Sequence, residues 1–375
     1  MVNQEQLFKS LEDQGIDFFT GVPDSLLNDF CLYLCHHYGN DRHIMAANEG
    51  NAIAIATGHY LATGKIPVVY MQNSGIGNAT NPLLSLAHES VYGIPMILVI
   101  GWRGDPAIKD HAQHKKQGEL TPVLMKDMDI PYEILDNDET VIEKFSWAAN
   151  KAKEISSPVA LIAKKGILTQ KEKHQEYPES TLMNREEAIS AVIDIFGSNA
   201  IYLATTGRAT RELHEQLKLH GIAAGHEFLN VGSMGHISSV ALGMAIAQSD
   251  KKIVVFDGDA AAVMHMGSLA TIGRYQPKNL IHIVLNNGVN ESVGGQPSAG
   301  QVVNLTTIAK ACGYTTSICV EKKKDLKTVV DILTDSDKPV FIDIHVRQGI
   351  RKDMPKLDID HQEQKIQLIK SFNEQ

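Results

Sequence analysis

The order of apolar and polar positions divides the chain into two runs of alternating strand-like and helix-like segments. In the first run, residues 67–71 and 95–100 are apolar and of strand length, joined by a helical stretch around 83–91. Residues 159–163 make a further short strand. A first helix starts behind Asn3, with Gln6 three positions on, and ends near Gly15. From 164 to 183 the chain is charged and loses apolar periodicity, so it reads as a linker. A new start follows at Asn184-Arg-Glu-Glu, an N-cap with glutamate at N3, ahead of a helical run over 188–196. Strand-like segments at 200–204, 253–256, 281–285 and 340–345 complete a second alternating unit. Alternation of strand and helix favours parallel sheets covered by helices. The predicted fold class is therefore α/β: two doubly wound parallel-sheet domains at 1–165 and 184–375, a linker at 166–183, and no central domain.

Composition narrows the class. The chain of 375 residues is 43% hydrophobic, ample for two large cores. A net charge of −9 and a pI near 6.0 leave no basic footprint for nucleic acid. No apolar run reaches the roughly 20 residues that span a bilayer, so no membrane partner is expected. The start, Met-Val-Asn-Gln-Glu-Gln, lacks the pattern of a secretory signal. Four cysteines without metal spacing fit a reducing compartment, and the expected location is the cytoplasm. Cys31 and Cys35 share a helix face ahead of His36-His37, but nothing at suitable spacing adds further zinc ligands.

The second unit carries the chemistry. Its strand at 253–256 runs into Asp257-Gly258-Asp259, followed by small residues and a helix-like run over 263–275. The next strand ends in Asn286-Asn287. An acid then stands at the tip of one strand and amides at the tip of the next, where ligands of such sheets bind. Asp259 and Asn287 offer hard oxygen donors, which Mg²⁺ prefers while leaving positions for phosphate oxygens. Gly258, Ala260 and Ala261 let backbone N–H groups approach a phosphate. An ordinary βαβ unit whose acid and amides cap strand ends would use the same residues. A second feature lies upstream, in the run from Ala46 to Lys65. Its Ala52, Ala54, Ala56 and Gly58 suit a tightly packed helix, and Glu49 stands at the start, where the helix dipole favours a carboxylate.

A Gly-Asp pair followed, after a helix and a strand, by Asn-Asn resembles the signature of thiamine diphosphate (ThDP) enzymes. Here Gly258-Asp259-Ala260 replaces the usual Gly-Asp-Gly. The resemblance implies Asp259, the Asn287 side chain and the Val289 carbonyl as Mg²⁺ ligands. The helix at Glu49 is similar to that of the family's pyrimidine-binding domain, in which such a glutamate hydrogen-bonds the aminopyrimidine ring. Asn230-Val-Gly-Ser-Met-Gly resembles the turn that inserts an apolar residue between the two cofactor rings. Met234 would fill that place, Ser233 would lie in the turn, and the Gly232 carbonyl would accept from the pyrimidine amino group. The implied cofactor set is Glu49, Gly232, Ser233, Met234, Gly258, Asp259, Ala260, Ala261 and Asn287. The first domain would bind the pyrimidine and the second the diphosphate. The family also implies a homo-oligomer, at least a dimer, with cofactor sites at subunit interfaces.

Four further segments narrow the reaction: Thr20-Gly-Val-Pro-Asp-Ser, Gln72-Asn-Ser-Gly-Ile-Gly-Asn, Asp110-His-Ala-Gln-His-Lys-Lys-Gln-Gly and Glu291-Ser-Val-Gly-Gly-Gln-Pro-Ser. As a set they resemble the ThDP-dependent 2-oxo acid decarboxylases, nearest to those of phosphonopyruvate, with those of sulfopyruvate as relatives. His111-Ala112 departs from a more acidic pair. The implied reaction is a carboxy-lyase step, 3-phosphonopyruvate to phosphonoacetaldehyde and CO₂, in 2-aminoethylphosphonate biosynthesis. Beside Glu49, Ser25 would touch the substrate carboxylate or carbonyl. Gln113 and His114 would relay protons or bind the anion, a role histidine can fill near neutrality. Arg103, Lys109, Lys115 and Arg208 are the cations available to a phosphonate. Sulfopyruvate decarboxylation, another decarboxylase or carboligase, and a catalytically silent binding subunit remain alternatives.

Overall fold

The interior strands form because their apolar runs are buried on both faces, as parallel sheets between helix layers require. The computed structural model describes residues 2–169, 177, 179–329, 333 and 338–373. Two units divide the chain: Met1–Gln175 with Val293–Gln296, and Glu176–Ser292 with Pro297–Gln375. The first holds a six-stranded sheet in the order His43–Met45, Phe19–Gly21, Val68–Gln72, Met96–Gly101, Pro158–Ala163, Tyr132–Leu135. Every pairing in it is parallel. Side chains alternate between two cores. Val68, Tyr70, Ile97, Val99 and Leu161 join Phe8, Leu11 and Phe145 on one face. Val69, Met71, Leu98, Ile100 and Ile162 join Ala52, Ile53 and Ala56 on the other.

The second unit repeats the plan. Its sheet runs Thr316–Val320, Val340–His345, Leu280–Asn286, Lys252–Gly258, Ala200–Ala204, Glu227–Leu229, again all parallel. In both sheets the chain lays down its first two strands side by side, then crosses to the other side of the first. The carboxyl ends of strands one and three then diverge into a crevice. Asp24 and Ser25 follow Phe19–Gly21, and Asn73 follows Val68–Gln72. In the second unit Thr205 follows Ala200–Ala204, and Asp259 follows Lys252–Gly258.

Several elements differ from the sequence reading. The helix expected around 83–91 lies earlier, at Ile76–Pro82, and widens into a π-turn over Leu83–Ala87. Its buried stripe, Ile76, Ala79, Leu83 and Ala87, has helical spacing, but Gly75, Gly77 and Pro82 mask it because they are poor helix formers. The run over 263–275 is two helices, Asp259–Met264 and Gly267–Tyr275, broken at His265-Met266. The strands His43–Met45, Tyr132–Leu135, Glu227–Leu229 and Thr316–Val320 were not expected. All four are sheet edges. An edge strand is buried on fewer sides, so it needs no continuous apolar run. Of the linker expected at 166–183, residues 170–176 and 178 lie outside the described residues. Among the described residues, no helix is long and apolar enough to cross a membrane.

The caps follow the sequence. Asn3 accepts from the Gln6 N–H at the head of Gln4–Asp13. Asn184 accepts from the Glu187 N–H at 2.7 Å, and Glu187 accepts from the Asn184 N–H at 2.8 Å. This capping box opens the helix Arg185–Phe196. Asn184→Ala removes one half of it and is expected to cost about 1 kcal/mol. The check is a urea titration: a lower midpoint at unchanged slope, with Asn184→Asp close to wild type.

Candidate functional site

In the second unit, Met234, Gly258, Asp259, Ala260, Ala261, Asn287 and Val289 line one cleft of about 90 Å³. Gly232 and Ser233 lie just before Met234 in a half-exposed to exposed turn, and Ser233 holds a left-handed φ of 49°. Asp259 is 2% exposed. The Ser298 hydroxyl donates to its Oδ2. Burial raises its carboxyl pKa to about 6, against the opposing pull of Ser298 and backbone N–H groups. Gly300 packs flush against it, and a Cβ there would overlap the carboxylate.

The two adjacent asparagines have different roles. The Asn286 amide donates to the Gly300 carbonyl at 3.2 Å and to Asp343 Oδ2 at 3.4 Å, tying strand ends to the loop. The Asn287 Nδ2 donates to Glu291 Oε2 at 3.0 Å, and its Oδ1 accepts from the Val289 N–H at 3.2 Å. With the nitrogen committed to Glu291, the oxygen is the Asn287 atom available to a cation. A carboxylate, an amide oxygen and a backbone carbonyl form a donor set that fits Mg²⁺. Asp257 Oδ2, also at the cleft, is buried without a hydrogen-bond partner.

Glu291 is held from four sides. Arg185 reaches its Oε2 at 2.5 Å, and Arg208 reaches Oε1 at 2.7 Å. The Gly349 N–H and the Asn287 amide complete the set. Arg185 also forks onto Glu212 at 2.7 and 2.9 Å. Sequence reasoning missed Arg185 and Glu212, which look like ordinary helix-surface charges. Arg208, a phosphonate candidate, is already paired with Glu291, and its Nη1 donates to the Tyr177 hydroxyl at 3.0 Å.

In the first unit, Glu49 is 5% exposed and opens the helix Glu49–Thr63. The Asn78 amide donates to its Oε2 at 2.7 Å. Gly75 presses against the carboxyl, and a Cβ there would overlap it. Ser25 follows the buried Asp24 in a tight turn, and Arg103 Nη1 donates to its hydroxyl at 3.3 Å. Asp110 grips Arg103 with both oxygens, at 2.7 and 2.8 Å. Arg103 in turn holds the Asp110 carboxyl far below its ordinary pKa. Burial raises Asp24, whose Oδ1 accepts from Gln72 Nε2 at 2.6 Å. His114 is half-buried, and burial with the Arg103 charge lowers its pKa to about 4, so it is neutral at pH 7. Gln113, also half-buried, precedes it near the start of the helix Ala112–Asp127. Lys109 and Lys115 are exposed. Asp24, Gln72 and Asp110 lie inside the quoted segments, yet only the structure shows them as anchors. Cys31 is 1% exposed in the core, and burial pushes its thiol up, so it is no ligand beside His36-His37.

Comparison with known proteins shows the family. Residues 1–125 match the thiamine pyrophosphate enzyme N-terminal TPP binding domain, and residues 205–344 the C-terminal TPP binding domain. The chain is 30% identical over 367 residues to a phosphonopyruvate decarboxylase of Streptomyces hygroscopicus, covering 93% of this chain and 88% of that protein. A phosphonopyruvate decarboxylase of Streptomyces viridochromogenes is 29% identical, with 93% and 89% covered. A sulfopyruvate decarboxylase of Methanosarcina acetivorans is 27% identical, with 86% and 85% covered.

The raised Asp259 pKa sets a stability test. Between the unfolded value near 3.8 and the folded value near 6, the folded chain holds the extra proton. That contribution is complete below the unfolded pKa and is lost as pH rises through the folded one. Metal-free Asp259→Asn is therefore expected to melt higher than metal-free wild type at pH 7. The gap should narrow as pH falls below 6. Equal melting temperatures at pH 7 would show that the carboxylate is not desolvated.

Proposed function

This chain belongs to the thiamine pyrophosphate enzymes, in their decarboxylase branch, and we propose that it converts 3-phosphonopyruvate to phosphonoacetaldehyde and CO₂ with ThDP and Mg²⁺. The similarity to phosphonopyruvate decarboxylases over 93% of the chain carries the substrate reading. In this reading Asp259, Asn287 and the Val289 carbonyl would hold Mg²⁺, and the backbone at Gly258, Ala260 and Ala261 would receive the diphosphate. Met234, with Gly232 and Ser233 in its turn, supports the rings. When bound, the cofactor supplies a thiazolium that accepts the electron pair released as CO₂ departs.

The chain's own residues supply position and protons. Glu49, its carboxylate fixed by Asn78 and walled by Gly75, would hold the aminopyrimidine by a hydrogen bond when the cofactor is bound. Ser25, aimed by Arg103, donates its hydroxyl to the substrate carbonyl or carboxylate. His114 is neutral at pH 7 and takes or passes a proton, with Gln113 beside it. Asp110 holds Arg103 rigid, so that guanidinium enters the site already oriented. Lys109 in the loop and Lys115 in the first turn of the helix Ala112–Asp127 supply further positive charge for the phosphonate.

Glu49 lies in the first unit, whereas Asp259 and Asn287 lie in the second. We assign the pyrimidine-binding role to the first and the diphosphate-binding role to the second, joined in a homodimer or larger homo-oligomer with composite sites. The four free cysteines suit a cytoplasmic enzyme. The product aldehyde would enter 2-aminoethylphosphonate formation. A second reading, decarboxylation of sulfopyruvate, rests on the Methanosarcina acetivorans relative.

Substrate choice is tested with phosphonopyruvate, sulfopyruvate and pyruvate under aldehyde detection. The expected order puts phosphonopyruvate at least tenfold ahead in kcat/KM. Preference for sulfopyruvate would move the substrate and leave the decarboxylase intact. Glu49→Gln should retain ThDP but lose roughly 10²–10⁴ in turnover, the scale of a lost proton relay. Mixing inactive Glu49→Gln and Asp259→Ala proteins under subunit exchange should restore activity. If exchange occurs without recovery, the composite site is wrong.

A further inference from the structure

The strands Thr316–Val320 and Val340–His345 lie side by side in parallel, with Cys319 opposite Asp343. Side chains alternate along a strand. Cys319 and Glu321, two residues on, are therefore placed with Asp343 and His345 at the carboxyl ends of the two strands. Donor atoms of Cys319, Glu321 and His345 all lie within 4.8 Å of one another. The Cys319 Sγ is 3.7 Å from His345 Nε2. A tetrahedral zinc ion, with bonds of about 2.3 Å to sulfur and about 2.0–2.1 Å to nitrogen, separates those two donors by about 3.6 Å.

His345 has a carboxylate at each ring nitrogen. Glu321 Oε1 is 3.6 Å from Nδ1, and Asp343 Oδ2 is 3.5 Å from Nε2. Nε2 faces both the Cys319 Sγ and the buried Asp343 carboxylate. Asp343 is 4% exposed, and its Oδ1 has no hydrogen-bond partner. A buried carboxylate oxygen left unpaired is costly, and a cation nearby relieves that cost. Thiol, imidazole and carboxylate together differ in kind from the all-oxygen set at Asp259 and Asn287. The mixed set selects zinc-class ions, whereas the oxygen set selects Mg²⁺.

We propose that Cys319, Glu321 and His345 form a second metal site, for a zinc-class divalent cation, with Asp343 as its buried supporting carboxylate. Cys319 and Glu321 are exposed and His345 is partly so, which leaves an entry path and room for water to complete the coordination. Thr316–Val320 is an edge strand. A cation here would clip it to its neighbour.

The test uses the full chain saturated with ThDP and Mg²⁺, titrated with Zn²⁺ by calorimetry. One further equivalent is expected to bind. Cys319→Ser and His345→Ala should each weaken it at least tenfold. Co²⁺ in place of Zn²⁺ should give a sulfur-to-cobalt charge-transfer band that Cys319→Ser abolishes. Metal-free melting of the Cys319 and His345 variants at the wild-type temperature confirms that they fold. No additional equivalent, or equal affinity in folded Cys319→Ser and His345→Ala, would each overturn the proposal.

Discussion

The second unit depends on one buried carboxylate. Glu291 collects two guanidinium groups, an amide and a backbone N–H. Burying such charges carries a large desolvation cost, which is offset only when every partner is in place. Removing one partner of a buried pair typically costs about 3–5 kcal/mol. Glu291 therefore locks together parts of the chain that sequence does not connect. Arg185 and Arg208 each open a helix. Asn287 follows the strand Leu280–Asn286, and Gly349 belongs to a loop much further on. The same network turns the Asn287 amide so that its nitrogen is occupied. The side chain expected to meet a cation is thus oriented before any cation arrives.

The two units solve one problem in the same way. Each holds a buried candidate acid beside a glycine, Glu49 against Gly75 and Asp259 against Gly300. In neither place is there room for a Cβ. The missing side chain lets the acid stay buried at the start of a helix while remaining next to the open end of the sheet. The acids differ in their neighbours. Glu49 accepts from an asparagine amide. Asp259 accepts from Ser298 in a drier setting, and its pKa rises to about 6. A bound cation would replace the lost solvation.

The loop around Arg103 uses the opposite device. Asp110 saturates the guanidinium with two short hydrogen bonds, and the Gly104 and His111 N–H groups fix Asp110 in turn. Rigidity there aims Ser25 and keeps positive charge beside His114, which helps to hold that imidazole neutral. Packing against Gly118 reinforces the arrangement, since a Cβ at Gly118 would overlap the Gly104 backbone.

Much of this was legible in the sequence because it is local. Interior strands such as Met96–Gly101 are continuous apolar runs, since both of their faces are buried. The Asn184 capping box, the acids at 257 and 259 and the amides at 286 and 287 are each complete within a few residues. The four edge strands were not legible, because partial burial imposes no apolar pattern. The helix at Ile76–Pro82 was hidden by glycine and proline that only its packing tolerates. Above all, sequence could not pair charges. Arg185 meets Glu212 across 27 residues and Glu291 across 106. Asp24 meets Gln72 across 48, and Cys319 meets His345 across 26. Those partners are chosen by which strands lie side by side and at what register. The sequence by itself determined the interior strands, the caps and the donor types. Only the tertiary structure decided which donors share a site, because desolvation and long-range contact act on the folded chain.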